Sequence, residues 1–214
     1  LKYKSKTMQH NTHIRDKNIQ FFEEDHLYIV NRDPTTKYTS VTTLIKSLFP
    51  PFDADAAIEN MRNGQKWNEF HACWGMTNQE IKDLWAQNRN HSAELGTQLH
   101  KQIEYYYNHP EDVNFHPNTV EWGYFLQFVQ DLVRDFPDKI PYRTEWCIYH
   151  EDLKISGSID MVYRNKDGTV SLYDWKRAKE IKKYSYSRSY GLDPILHHIP
   201  DANFWHYSLQ LNIY

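Results

Sequence analysis

The sequence predicts a chain of the α/β class (α+β mixed), with a central mixed β-sheet flanked by helices. Three observations point to it. Helical stretches with capping signals follow one another from residue 53 to residue 136. Three alternating, β-branched and aromatic runs come next, "YRTEWCIYH", "ISGSIDMVY" and "TVSLYDWK", and read as an antiparallel meander. A last helical stretch follows, and helices on either side of a meander bury their apolar faces against it. With 214 residues the chain is long enough for one well-packed domain.

The elements are justified in order. Residues 1–18 are polar and basic, and a loosely ordered start is expected. Ile19 to Val30 reads as two short strands around the acidic turn Glu23-Glu24-Asp25. "KYTSVTTLIKSLF" reads as a strand running into a short helix. Asp53 caps a helix that Gly64 ends. "TNQE", Thr77 to Glu80, forms a capping box for the next helix. A further helix is expected over Ala93 to Asn108, interrupted only by Gly96. Asn118 to Phe136 is another, apolar at Val120, Phe125, Phe128, Val129 and Leu132. The last strand is expected over Val170 to Trp175, followed by a basic, tyrosine-rich loop or lid over Arg177 to Pro200. Asp201 to Tyr214 resumes helix.

Composition narrows the function classes. Net charge is -3 and the isoelectric point is about 6.5, so no global basic field attracts nucleic acid, and any such binding needs a local patch. The two cysteines, Cys73 and Cys147, cannot make a four-cysteine zinc or iron–sulfur site and read as reduced, intracellular thiols. No apolar run reaches membrane-spanning length, and no membrane partner is expected. The chain starts at Leu1 and stops inside a predicted helix, so it reads as a piece of a longer protein.

The chemistry begins at "LYDWKRAKE". Asp174 and Lys176 are two apart, which in extended backbone places them on one face. A surface ion pair is the plain reading. The preceding turn, "NKDG", offers more. A two-residue loop, Asp167-Gly168, pairs Asp160 with Trp175 and leaves Asp174 on the other side. A three-residue loop, Lys166-Asp167-Gly168, with Gly168 left-handed, pairs Asn165 with Thr169 and so Asp160 with Asp174. Opposed like charges destabilise a sheet unless a cation lies between them. The second register therefore predicts a Mg2+ or Mn2+ site, and turn chemistry leaves both registers open. Two acids and a lysine are a minimal phosphodiester-hydrolysing set.

Two helical motifs add to it. "GTQLHKQIE" sets His100 and Glu104 four apart, either as a surface pair or with His100 as a nitrogen ligand that suits manganese. "YSLQLNIY" sets Gln210 and Tyr214 four apart with Tyr207 beside them, either as packing or as hydrogen-bond donors to phosphate or base edges.

The order "GTQLH", "GSID", "LYDWK", "QLNIY" resembles the PD-(D/E)xK nuclease superfamily, and most of all its RecB-like, Cas4-like exonuclease branch. The matched stretch runs from about His100 to Tyr214, and "YTSVTTLI" is similar to the strand-to-helix opening of these proteins. The resemblance implies a restriction-endonuclease-like core. It implies His100, Asp160 and Asp174 as metal ligands, with the Trp175 carbonyl as a fourth. It implies Lys176 as the catalytic lysine, Gln210 and Tyr214 as residues that orient substrate and site, and Glu104 and Glu145 as supporting acids. Asp174 stands where Glu is commoner. The four-cysteine iron–sulfur clamp of several relatives cannot be made from Cys73 and Cys147. On this reading 1–214 is a single nuclease domain, with 1–92 as N-terminal hairpin and helical part and 93–214 as catalytic core.

The loop then gains a use. Arg177, Lys179, Lys182, Lys183 and Arg188 interleave with Tyr184, Tyr186 and Tyr190, a pattern of cations for phosphates and rings for bases. The expected activity is metal-dependent hydrolysis of DNA, as an exonuclease on ends or single strands. The rivals are a structure-specific endonuclease, a non-catalytic nucleic-acid-binding module, and a two-carboxylate glycosidase that gives Lys176 and His100 no task. Expected partners are DNA and further domains of the same polypeptide.

Overall fold

A computed structural model describes residues 11–214. The chain enters through a 3-10 turn at Ile14–Asn18, capped by His13. Strands β1 (Ile19–Phe22) and β2 (Leu27–Val30) pair as an antiparallel hairpin around the acidic turn. The short β3 (Thr39–Ser40) leads straight into helix α1 (Val41–Ser47), because the Ser40 hydroxyl accepts from Thr43 N–H and satisfies a first-turn donor. Helix α2 (Ala54–Arg62) is capped by Asp53, and α3 (Asn78–Asn108) by the Thr77–Glu80 box. Helix α4 (Val120–Asp135) precedes the meander of β4 (Ile140–His150), β5 (Ile155–Arg164) and β6 (Val170–Tyr173). A long irregular segment then reaches α5 (Asn203–Ile213).

The expected mixed α/β architecture is present. β5 is the centre of the main sheet, with β4 and β6 antiparallel to it and β3 parallel. β5 is buried on both faces. Met161 and Tyr163 pack with Leu132 and Phe128 of α4, and the Trp175 ring joins them, as expected for a side chain turned into the core. Strand alternation turns Asp160 to the opposite face. α1 and α5 pack through Val41, Ile45 and Phe49 against Leu209, Ile213 and Tyr214. No helix among the described residues is long and apolar enough to cross a membrane.

Several expectations need correction. The helix expected over Ala93 to Asn108 is the second half of the 31-residue α3, since no proline or cap interrupts it and one interior glycine costs only about 1 kcal/mol. The division between 1–92 and 93–214 therefore falls inside a helix. Gly96 sits where Arg177 passes, with the place of its missing Cβ 3.9 Å from the Arg177 Cβ. In α4, Val120 is 71% exposed and Trp122 takes the core position. The last strand ends at Tyr173, so Asp174 to Lys176 lie just beyond the ladder. The loosely ordered start expected for residues 1–18 lies, over 1–10, outside the described residues. Its remainder is tied down: buried Arg143 holds the Asp16 carboxylate at 2.9 Å, and Trp146 Nε1 donates to it at 3.0 Å.

The hairpin register is the three-residue one. Asn165 N–H donates to the Thr169 carbonyl at 2.8 Å, and Gly168 has φ +87°. Met161 pairs with Tyr173. One step further along that register sets Asp160 opposite Asp174.

Candidate metal centre

The sheet lines up three acids. On one side of β5 the register carries Asp160 toward Asp174. On the other, Thr144 pairs with Met161 and Trp146 with Ile159, so Glu145 stands opposite Asp160. Glu145 has φ +43°, a left-handed conformation inside a strand that costs on the order of 1–2 kcal/mol and breaks the pleat locally. Ser158 Oγ donates to Glu145 Oε2 at 3.3 Å.

His100 comes down from α3 onto this row. Its Nδ1 lies 3.3 Å from Glu145 Oε1 and 3.7 Å from Asp160 Oδ2, and its Nε2 lies 3.0 Å from the Trp175 carbonyl oxygen. The donor atoms of His100, Glu145 and Asp160 all lie within 4.8 Å of one another, the one such group among the described residues. Burial opposes the imidazolium charge, but the Glu145 hydrogen bond and the Asp160 charge outweigh it and raise the His100 pKa to about 9. Burial raises the Asp160 carboxyl to about 7, against the lowering effect of His100 and with the further raising effect of Asp174. One nitrogen and two carboxylates, packed closely enough to hold a proton between them, suit Mg2+ or Mn2+.

Asp174 is engaged differently. Its Oδ2 is 2.5 Å from Lys176 Nζ, and its Oδ1 accepts from Gln210 Nε2 at 2.7 Å. The structure therefore groups Glu145 with His100 and Asp160, where the sequence reading had Asp174. The ammonium already neutralises Asp174, and the bent backbone at Glu145 aims a third carboxylate at His100. Trp175 N–H donates to Asp160 Oδ2 at 2.6 Å, which locks the two strands at this point. The Trp175 carbonyl meets the His100 nitrogen that faces away from the acids. It thus holds the ring in orientation, as carbonyls behind ligating histidines do.

α5 completes the wall. Gln210 Nε2 also donates to Tyr214 Oη at 3.0 Å, so the pair expected to act together is joined. The Tyr214 ring sits where a side chain on Gly157 would stand, since a Cβ there would come within 2.6 Å of Tyr214 Cε1. Lys176 Nζ lies 5.6 Å from the Tyr207 ring centre. Glu104 is half-buried one turn beyond His100 and lies outside the three-residue group.

The basic segment is less free than its composition suggests. Arg177 donates to Glu121 at 2.8 Å and to Ser92 at 3.3 Å. Lys182 pairs with Glu180 at 2.8 Å, and Lys183 lies over the Phe204 ring at 4.6 Å. Lys179 and Arg188 are exposed, as are Tyr184 and Tyr186 at 64% and 78%.

Tyr28 escaped the sequence reading. It is buried in a cluster with Ile19, Val30 and Tyr149, with Cys147 packed against it, and that burial above all pushes its phenol up, with smaller contributions from Cys147, Tyr214, Glu145 and Asp160. Only the tertiary placement of the N-terminal hairpin brings it there. No family model, curated protein or solved structure matches the chain.

Proposed function

We propose that the chain is a divalent-metal-dependent phosphodiester hydrolase with a restriction-endonuclease-like core, acting on DNA as an exonuclease at ends or on single strands. The observation that carries this reading is the row of Glu145 on β4, Asp160 on β5 and Asp174 just past the end of β6, with His100 over it and Lys176 beside it. His100, Glu145 and Asp160 would hold Mg2+ or Mn2+. Such an ion, when bound, supplies Lewis-acid polarisation of a phosphoryl oxygen and lowers the pKa of a water.

The protein's own groups do the rest. The Trp175 carbonyl fixes the His100 ring so that Nδ1 faces the acids. Asp174 holds the Lys176 ammonium in position, and Gln210 keeps Asp174 from rotating. The Lys176 ammonium then stabilises charge on the phosphoryl group as water adds to phosphorus and the ester P–O bond breaks. Lys179, Arg188, Tyr184 and Tyr186 give the strand phosphates and bases a surface to follow.

The test is cleavage of end-labelled single- and double-stranded DNA with Mg2+, Mn2+ or EDTA, comparing the natural chain with Lys176→Ala. Metal-dependent cutting that Lys176→Ala lowers at least about a hundredfold supports the reading. Single-nucleotide products support an exonuclease, and cutting of circular single strands supports an endonuclease. Full activity of Lys176→Ala, or activity in EDTA, overturns the mechanism.

A further inference from the structure

We propose that the β1–β2 hairpin carries a stacking shelf for one unpaired nucleobase, formed by Phe21, His26 and Tyr28 beside the metal centre. The proposal rests on the reading of that centre as a phosphodiester-cleaving site and names the part of the substrate it holds.

Two independent ties place the hairpin there. Glu23, at its tip, accepts an ion pair at 3.0 Å from Lys101, the residue after His100 on α3. Tyr28, on its second strand, packs in one cluster with Tyr149 and Cys147 of β4, the strand that carries Glu145. The tip of the hairpin thus touches the helix that supplies His100, and its second strand packs on the strand that supplies Glu145.

The rings are arranged to receive a flat, apolar group. Phe21 and Tyr28 are cross-strand partners and so share a face, with ring centres 4.5 Å apart and planes inclined by 30°. His26, held at φ +49° in the turn, stands edge-on to Phe21 at 5.4 Å. Exposure rises along the series, from buried Tyr28 through half-buried Phe21 to exposed His26. Hydrophobic packing explains Tyr28, which joins Ile19, Val30 and Tyr149 in a core cluster. His26 extends that cluster edge-on to both rings and is its exposed end.

Charge decides how an occupant lies. Glu24 and Asp25 are exposed at the tip and repel phosphate, whereas Lys176 attracts it. A nucleotide is therefore held with its phosphate toward Lys176 and its base toward the rings. The same acidic tip opposes a second phosphate backbone, which favours a frayed or single-stranded end over continuous duplex.

The test uses the full chain and two variants, Phe21→Ala and His26→Ala. The first readout is the cleavage ratio between single-stranded oligonucleotides ending in a normal or an abasic nucleotide, at each end in turn. The natural chain is expected to prefer the normal end by about tenfold, as for loss of one base–aromatic stack, and both variants to bring the ratio toward one. The second readout is quenching of a terminal 2-aminopurine on binding in EDTA, expected for the natural chain and lost in Phe21→Ala. A cleavage ratio equal in all three proteins overturns the shelf while leaving the hydrolase reading intact. If nothing is cut, the hydrolase reading fails and the quenching decides alone: loss in Phe21→Ala supports the shelf, and unchanged quenching overturns it.

Discussion

His100 and Asp160 hold the most consequential charges at the scale of single residues. The folded state raises the His100 pKa from 6.5 to about 9, so the stabilisation from its imidazolium is complete below about 6.5 and is lost as pH rises through about 9. The shift corresponds to on the order of 3 kcal/mol. Asp160 is raised from 3.8 to about 7, and its penalty grows as pH rises across that interval. Both signs agree: in EDTA, the melting temperature should fall steadily from pH 6 to pH 9.5. His100→Gln should flatten the part above pH 7, and a melting temperature rising with pH would refute the assignment. On the proposed reading a divalent cation would take the place of those protons, so its stabilising effect should grow over the same range. Mn2+ binding measured by calorimetry at pH 8.5 should weaken at least tenfold in Glu145→Gln, because that carboxylate faces His100 directly. Of these residues, the Asp174–Lys176 pair was legible because strand alternation is local, whereas turn chemistry left the register that sets Asp160 opposite Asp174 as one of two, and helix spacing alone offered His100 equally as a surface partner of Glu104. Glu145 was legible only as a supporting acid, since its role depends on a backbone bend that no pattern of side chains announces.

Two glycines set the geometry at the scale of elements. Gly168 has φ +87° with open space around it, so Gly168→Ala tests backbone strain alone. It should cost about 1–2 kcal/mol in urea unfolding with an unchanged m-value, and no cost would mean that the turn does not fix the register. Gly157 is the opposite case, because its φ is ordinary and the obstacle is Tyr214. Gly157→Ala should cost about 1–3 kcal/mol by overpacking and push Tyr214, and with it Gln210, away from Asp174. DNA cleavage should then fall more steeply than stability, and Tyr214→Ala in the same chain should recover the stability but not the activity. The hairpins, the caps at Asp53 and Thr77, and the meander were all legible, because each rests on turn or cap chemistry within a few residues. The continuity of α3 was not. A helix that crosses a glycine and several polar residues is held together by what packs on it, here Ile81 at one end and Ile103 at the other.

At the scale of the whole molecule, the proposed reading asks a chain of net charge -3 to hold DNA through a local patch rather than a global field. The sequence marks the segment after β6 as a basic, tyrosine-rich loop or lid. The fold pins it. Asn203, at the start of α5, accepts from Lys182 N–H at 2.8 Å and donates to the Glu180 carbonyl at 2.9 Å. Trp205 Nε1 donates to the Lys183 carbonyl at 2.9 Å, and Leu192 N–H donates to the Leu48 carbonyl at 2.8 Å. These bonds join elements far apart in sequence, so local patterns could not foretell them, just as they could not foretell the N-terminal hairpin at the centre. Their consequence is a fixed arrangement of cations anchored on the helix that also carries Gln210. Arg177 and Lys182 already have carboxylate partners, so the proposed reading assigns phosphate to Lys179, Lys183 and Arg188. Each such contact contributes about 0.7 to the slope of log affinity against log salt for single-stranded DNA. Replacing all three by alanine should therefore lower that slope by about 2 in fluorescence anisotropy with EDTA present. Replacing Arg177 and Lys182 should change it far less, because their charges are spent on Glu121 and Glu180. Equal losses from the two sets would mean that the strand runs elsewhere, and that composition rather than placement had suggested this path.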